Sequence, residues 1–479
     1  MLNYHYYYFL NRYFIGMANE NVPYETRTIR MNQDTIGHRF ELYMTPGDGR
    51  FEKLTGRRRL FRNTRKDLVA GIISAAIMIP LAMGFAMASG LHPEQGVAGG
   101  AVAALIGALF GGSKYQVYGP SAALIPVIGG LMAIYDTGFL LLASFIAGIL
   151  LLLSGLLKLG RITEKIPRSA AVGLTLGMVL IIIFSQVNHA TGLHGHAGYK
   201  LTDQLRFWME NIYTINIAAL TMTVCTCIIC QAFIRISRFI PGLFLAMAFG
   251  YFGAKTFWSG KGVELIGDKY TSLADGFFTI ASTTTGAGWG AKTFFDLLYF
   301  SVAIFTVVLI ESTSSGRRAD RLAPNEGHPF NPHKELWGNG IINIFSPVFN
   351  GMPVCGTWTG TSANTRTGAI SPLSGLVRCG FILLLSASLI SYIEKVPLAC
   401  MAGILLSVAI NKVKRIEIKE VFRMGTFHFM LMIATALMVP LFGFVPAVLI
   451  SLSIYILFRR GLRKKIKEDV INQQEEVVV

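Results

Sequence analysis

Two short segments of this sequence combine glycine, proline and small hydroxyl residues within otherwise apolar stretches. The first covers residues 115–123 and the second covers residues 351–362. In each segment an extended stretch leads to residues that favour the start of a helix. A helix that begins inside a membrane presents unpaired N–H groups and the positive end of its dipole. Two such helix starts facing each other can bind an anion without a cationic side chain.

We call these segments the first break and the second break. Their hydroxyl groups add hydrogen-bond donors, and their glycines let a ligand approach the backbone. The residues predicted to bind the anion are Gly119, Ser121, Ala122, Gly356, Thr357, Thr359, Gly360 and Thr361. The alternative interpretation is that both breaks are helix kinks that only relieve packing.

A single acidic residue, Glu311, stands out inside an apolar run. A carboxylate within a membrane is costly, so it usually marks a cation or proton pathway or a structural ion pair. The hydroxyl oxygens of Ser312, Thr313 and Ser315 surround it in the sequence, and they suit Na⁺ coordination or a hydrogen bond to a protonated acid. The structural alternative is a salt bridge between Glu311 and a nearby base such as Arg366.

The composition indicates that these residues are held in a membrane. Of 479 residues, 52% are hydrophobic and 15% are charged, against about 25% charged in an ordinary soluble protein. The net charge of +16 comes from 43 basic and 27 acidic residues. Because the bases gather between apolar runs, they indicate a positive-inside topology and do not favour nucleic-acid binding.

Fourteen apolar spans are predicted, and the basic clusters put both termini in the cytoplasm, in a plasma or bacterial inner membrane. The predicted spans are 67–89, 95–112, 119–135, 137–158, 167–187, 211–233, 238–255, 293–316, 334–349, 356–368, 372–393, 396–411, 426–442 and 444–458. The predicted domains are a cytoplasmic segment 1–66, a transmembrane domain 67–458 and a short cytoplasmic tail 459–479. The transmembrane domain divides into two repeats, about 67–255 and 293–458.

The two breaks fall in the third and the tenth predicted spans. These two spans are seven apart in the chain. Because seven is odd, corresponding spans of the two repeats cross the membrane in opposite directions, which is typical of inverted repeats. The predicted fold is therefore an all-α membrane protein with fourteen transmembrane segments in a 7+7 inverted repeat, with the third and tenth helices broken.

Several motifs, in order and spacing, resemble the sulfate permease family over roughly residues 66–459. The matching pieces are Asp67–Gly71, Ile79-Pro80, Gly107–Gly112, Gly119-Pro120, Leu309-Ile310-Glu311, Ala319-Asp320, Asn343-Ile344, Ser346-Pro347, Asn364, Arg366, Gly368 and Pro372–Gly375. Residues 80–86 look closer to the bicarbonate-transporting bacterial branch than to the animal branch.

The resemblance implies a core domain that moves against a gate domain, with substrate held between the starts of the third and tenth helices. In the Na⁺-coupled bicarbonate members, an acid and a hydroxyl residue of the eighth helix bind the cation. Those positions match Glu311 and Ser315, which are therefore the predicted coupling-ion residues.

Two features depart from the family pattern. Many members carry an arginine at the position that matches Gly360, so attraction of the anion here would depend on dipoles and hydroxyls. Family members usually continue into a STAS domain, and residues 459–479 are too short to hold one. The chain is therefore expected to be a truncated or naturally STAS-less member, and dimerisation by that domain does not carry over. The sequence leaves open whether the protein forms a homodimer.

The expected function is secondary transport of a small inorganic anion, bicarbonate or sulfate, by an elevator mechanism. The expected transport includes coupling to a gradient of Na⁺ or H⁺. No cofactor or metal is expected apart from Na⁺ as a coupling ion. The alternatives are an anion exchanger or channel for chloride, or a nucleobase permease of the same fold. An enzyme is not expected, because no His/Cys/Asp cluster of catalytic spacing lies near the breaks.

Overall fold

The computed structural model describes residues 57–193, 195, 201–237, 239–270, 290–323 and 329–458. The tail 459–479 and most of the predicted segment 1–66 lie outside these residues. The helices are α1 Arg57–Ala88, α2 Pro93–Phe110, α3 Ile125–Met132, α4 Thr137–Leu156, α5 Arg168–Thr191, α6 Leu201–Asn211, α7 Ile217–Ile236, α8 Gly242–Lys255, α9 Ile266–Lys269, α10 Ala291–Leu322, α11 Pro332–Phe345, α12 Trp358–Arg366, α13 Leu373–Ile393, α14 Leu398–Lys412, α15 Arg415–Arg423, α16 Thr426–Phe442 and α17 Phe444–Phe458. The two strands are β1 Val117–Gly119 and β2 Cys355–Thr357.

Six helices in the described part of the chain are long and apolar enough to cross a membrane, and five more are shorter apolar helices. Each of the fourteen predicted spans overlaps a helix. The number that cross the bilayer stays a prediction. The first helix begins at Arg57, ten residues before the predicted start at Asp67. The helix extends beyond the predicted apolar span, because arginine and leucine are good helix formers, and the start of the membrane span itself stays a prediction.

Local signals explain where several helices begin and end. The Asp136 carboxylate accepts a hydrogen bond from the Phe139 N–H at 2.9 Å and caps α4. Asn216 and Asn331 cap α7 and α11 in the same way. Gly192 ends α5 with a φ of 66°, a left-handed conformation that glycine adopts without strain.

Helices from the first half of the chain pack mainly against helices from the second half. α4 packs on α11, α5 on α16, and α1 on α13. Small residues allow this close approach, since a Cβ added at Gly148 of α4 would lie 2.8 Å from the Ile344 nitrogen of α11. The two halves are therefore interleaved.

The two strands meet inside this bundle. They pair antiparallel, with Val117 opposite Thr357 and Gly119 opposite Cys355, and all six of their residues are buried. A helical segment follows each strand. Because the strands are antiparallel, these two segments begin at opposite ends of the strand pair. Both breaks, 240 residues apart in the chain, therefore lie side by side.

Candidate anion site

In the first break, a side chain of the break caps the turn that follows the strand. After β1, a 3₁₀ turn spans Ala122–Leu124 and leads into α3. The Ser121 hydroxyl accepts a hydrogen bond from the Ala123 N–H at 3.4 Å and so caps this turn. Ser121 and Ala122 are both buried. The oxygen of one predicted hydroxyl group therefore accepts a hydrogen bond from the backbone of its own turn.

The second break leaves the start of α12 without a side-chain cap. Thr357 occupies the N-cap position, but its hydroxyl donates to the Val117 carbonyl oxygen at 3.2 Å and forms no cap hydrogen bond. Thr361 is also turned toward β1, where its hydroxyl accepts from the Val117 N–H at 2.9 Å. The predicted hydroxyl of Thr357 thus joins the two strands, and that of Thr361 joins α12 to β1. The first N–H groups of α12 lack a capping side chain.

The glycines of the breaks are packed against neighbouring side chains. A Cβ at Gly119 would lie 2.6 Å from the Met78 Cε, and a Cβ at Gly360 would lie 2.9 Å from the Met78 Sδ. A Cβ at Gly356 would meet the amide of Gln116. The absent side chains allow α1 and the two strands to pack closely.

A cavity of about 380 Å³ opens beside the second break. Thr359 and Ser362 of α12 line it, together with apolar residues of α1, α7, α8 and α14. Its basic residues are Arg366, Lys412 and Lys414. Of the predicted anion-binding hydroxyls, Thr359 is the one that reaches this cavity.

A smaller cavity of about 40 Å³ adjoins the same helix start. Glu311 and Ser315 of α10 line it, so the structure brings the two predicted coupling-ion residues to one space next to α12. Ser315 also donates to the Thr361 hydroxyl oxygen at 3.4 Å. Within the described part of the chain, no ion pair joins Glu311 to Arg366, which lines the larger cavity instead.

Trp358, the first residue of α12, lines both cavities. Two cations lie over its ring: the Arg318 guanidinium at 5.6 Å and the Lys414 ammonium at 4.8 Å from the ring centroid. Lys412 also lines both cavities. Basic side chains therefore lie near the start of α12, and they come from α10, from α14 and from the residues after α14. The helix itself has glycine at position 360, where many family members have arginine.

Sequence reasoning missed these aromatic and basic residues. Trp358 is the single large polar aromatic residue of the second break, and that was an available signal. Lys412 and Lys414 belong to a basic linker that was interpreted only as topological charge. Nothing local in the sequence indicates that this linker folds back over α12.

A third cavity of about 500 Å³ lies beside α3, past the first break. It is lined by Ile125 and Pro126 and by residues of α5, α10, α16 and α17. Phe444 lines both this cavity and the small cavity that contains Glu311. Because Phe444 is 1% exposed, its ring is buried between the two.

The fold and the site define a multi-pass helical membrane protein whose interior holds two antiparallel strands, each followed by a helical segment. The chain belongs to the sulfate permease family, because the sequence model of that family matches residues 64–435. This confirms the resemblance found in the motifs.

Relatives and solved structures agree with this assignment. The chain is 32% identical over 416 residues to a protein of Bacillus subtilis described as a putative sulfate transporter, YvdB, covering 86% of this chain and 76% of the relative. The structure matches the transmembrane domain of a cyanobacterial bicarbonate transporter, BicA, with a TM-score of 0.68 and 22% identity, over 82% of this chain and 97% of that domain. It also matches SLC26A9, with a TM-score of 0.74 and 15% identity, over 88% of this chain and 68% of the other. At these identities the two structures support the fold.

Proposed function

We propose that the protein is a secondary active transporter of a small inorganic anion, sulfate or bicarbonate. Family membership supports transport of an anion, and the names of the Bacillus and cyanobacterial proteins suggest these two substrates. The proposal includes a plasma or bacterial inner membrane with both termini in the cytoplasm, because the basic clusters favour that topology.

The observation that carries the proposal is the uncapped start of α12 beside a cavity with a basic rim. The backbone N–H groups there have no capping side chain, and Thr359 adds a hydroxyl at the cavity wall. The positive end of the helix dipole and the nearby bases favour negative charge in this space. An oxyanion of the size of sulfate or bicarbonate fits a cavity of about 380 Å³.

Coupling to a cation is assigned to α10. Glu311 and Ser315 share the small cavity beside α12, and a carboxylate with a hydroxyl oxygen suits Na⁺ or a transferable proton. In the proposed cycle, α10, the strands and α12 move together as part of an elevator core. The anion and cation would then cross in one movement.

Uptake by the purified protein in proteoliposomes tests the proposal. Radiolabelled sulfate and bicarbonate are each offered with and without a Na⁺ gradient, and again with a pH gradient. Saturable accumulation of one anion, stimulated by one of the gradients, is the expected result. A large current that does not saturate would instead identify a channel, and uptake of a nucleobase without either anion would identify a permease of another substrate class.

A further inference from the structure

One residue of α10, Ser312, contacts both breaks and the neighbouring helix α11. It is 0% exposed. Its hydroxyl oxygen accepts a hydrogen bond from the Gly356 N–H at 2.7 Å, and the hydroxyl donates to the Asn339 Oδ1 at 3.1 Å. Its carbonyl oxygen accepts from the Gln116 Nε2 at 3.0 Å. Gly356 lies in β2, and Gln116 directly precedes β1.

Glu311 and Ser312 are adjacent in the chain but face different surroundings. Successive residues of an α-helix are about 100° apart around its axis. Glu311 lines the small cavity with Trp358, whereas Ser312 is hydrogen-bonded to the strand pair. Neighbouring residues of α10 therefore contact the small cavity on one side and the strand pair on the other.

Asn339 makes this connection rigid. Its amide donates to the Glu335 carbonyl oxygen and the Glu335 Oε1, each at 2.8 Å, which leaves its Oδ1 to accept from Ser312. One turn further along α11, Asn343 donates to the Val354 carbonyl oxygen and accepts from the Val354 N–H, each at 2.9 Å. α11 therefore holds Val354 directly and holds Gly356 only through Ser312, which is the point where α10 joins this network.

We propose that Ser312 is the positioning residue that couples the cation site on α10 to the anion site at the start of α12. This inference rests on the proposed function. Removing the hydroxyl leaves the buried Gly356 N–H and the Asn339 Oδ1 without their partner, so the strand pair and α10 lose a shared hydrogen bond. Binding at each site would remain, while the effect of each on the other would fall.

The test measures how much the coupling cation lowers the KM for the anion. Uptake of sulfate or bicarbonate, whichever the wild type accumulates, is measured in proteoliposomes at low and at saturating coupling cation. Allosteric coupling typically changes affinity about 5- to 150-fold. We expect Ser312→Ala to reduce the cation-induced change in KM at least fivefold while the maximal rate falls less than twofold. Ser312→Thr, which keeps the hydroxyl, should restore most of the coupling.

A matched control is Thr306→Val on the same helix, because the Thr306 hydroxyl donates only to the Val302 carbonyl oxygen of its own helix. Thr306→Val should behave as the wild type. If Ser312→Ala does not fold, as judged by its melting temperature in detergent, Asn339→Ala removes the partner from α11 and should give the same loss of coupling.

An unchanged cation effect on KM in Ser312→Ala or Asn339→Ala would overturn this inference and leave the proposed transport intact. A wild type whose uptake responds to neither cation would overturn the coupling mechanism itself, and this inference with it.

Discussion

The two breaks share a sequence pattern but have different surroundings in the structure. In the first break, Ser121 caps the turn that follows β1, and its residues line neither cavity beside α12. In the second break, Thr357 holds β1 instead of capping α12. The start of α12 therefore remains without a cap, next to two cavities.

Ser121 satisfies one N–H group at the start of the 3₁₀ turn in the first break, although α3, which follows that turn, also begins without a side-chain cap. A capping side chain satisfies the N–H groups that would otherwise attract an anion. We infer that the second break contributes most of the anion affinity in this conformation, while the first break mainly supports the strand pair. The predictions below test this asymmetry.

The largest expected effect comes from Glu311, beside the second break. Glu311→Gln removes the carboxylate charge, so cation-driven uptake should fall by about 100-fold, at the upper end of typical coupling energies. Gradient-driven uptake in proteoliposomes measures the change. Glu210→Gln is the matched control, since Glu210 is exposed and pairs with Arg206 on the same surface helix. Unchanged ion dependence in Glu311→Gln would end the coupling proposal.

Thr359 and Ser121 offer a direct comparison of the two breaks. Thr359→Val removes a hydroxyl at the cavity wall, and the KM for the anion should rise about 10-fold, since a hydrogen bond to a charged group contributes ~1.5 kcal/mol or more.

Ser121→Ala removes a cap. It should lower stability by about 1 kcal/mol, with a smaller change in KM. Uptake kinetics and melting temperature in detergent separate the two effects. Equal changes in KM for both variants would contradict the asymmetry, and unaltered affinity in the double variant would count against the paired-helix site altogether.

Trp358 should have the next largest effect. Trp358→Ala removes the ring that faces Arg318 and Lys414, and the KM should rise about fivefold, since cation–π contacts contribute about 1 kcal/mol. Trp358→Phe keeps an aromatic face and should lose less. A Phe variant as impaired as the Ala variant would show that the ring is not what positions the two cations.

The smallest effect is expected for Lys412, at the rim shared by the two cavities. Lys412→Gln should raise the KM about twofold at low ionic strength, and the difference should vanish at high salt, where charges are screened within about 3 Å. Uptake at several salt concentrations measures this. Lys255→Gln is a suitable control, because Lys255 lines neither cavity and its ammonium donates to the Tyr251 hydroxyl of the same helix, α8. A difference that persists at high salt would indicate a direct contact with the anion.

Much of the architecture was predictable because the signals are local. Apolar length and basic linkers predicted helices that the structure contains, and the glycine, proline and hydroxyl pattern predicted where two of them begin. The partners of individual residues within the breaks could not be read from the sequence. Thr357 and Thr361 have the hydroxyls expected of a site, but both hydrogen-bond to Val117.

The sequence by itself determined the helical membrane class, the family and the two breaks, since hydrophobic periodicity, helix starts and motif spacing depend on residues close together in the chain. Only the tertiary structure decided that Lys412 and Trp358 share a cavity. It also decided that the Thr357 hydroxyl donates to the Val117 carbonyl oxygen, and that Ser312 joins α10 to both breaks. Those contacts join residues 44 to 240 positions apart, and packing between the two interleaved halves of the chain alone brings such residues within hydrogen-bond distance.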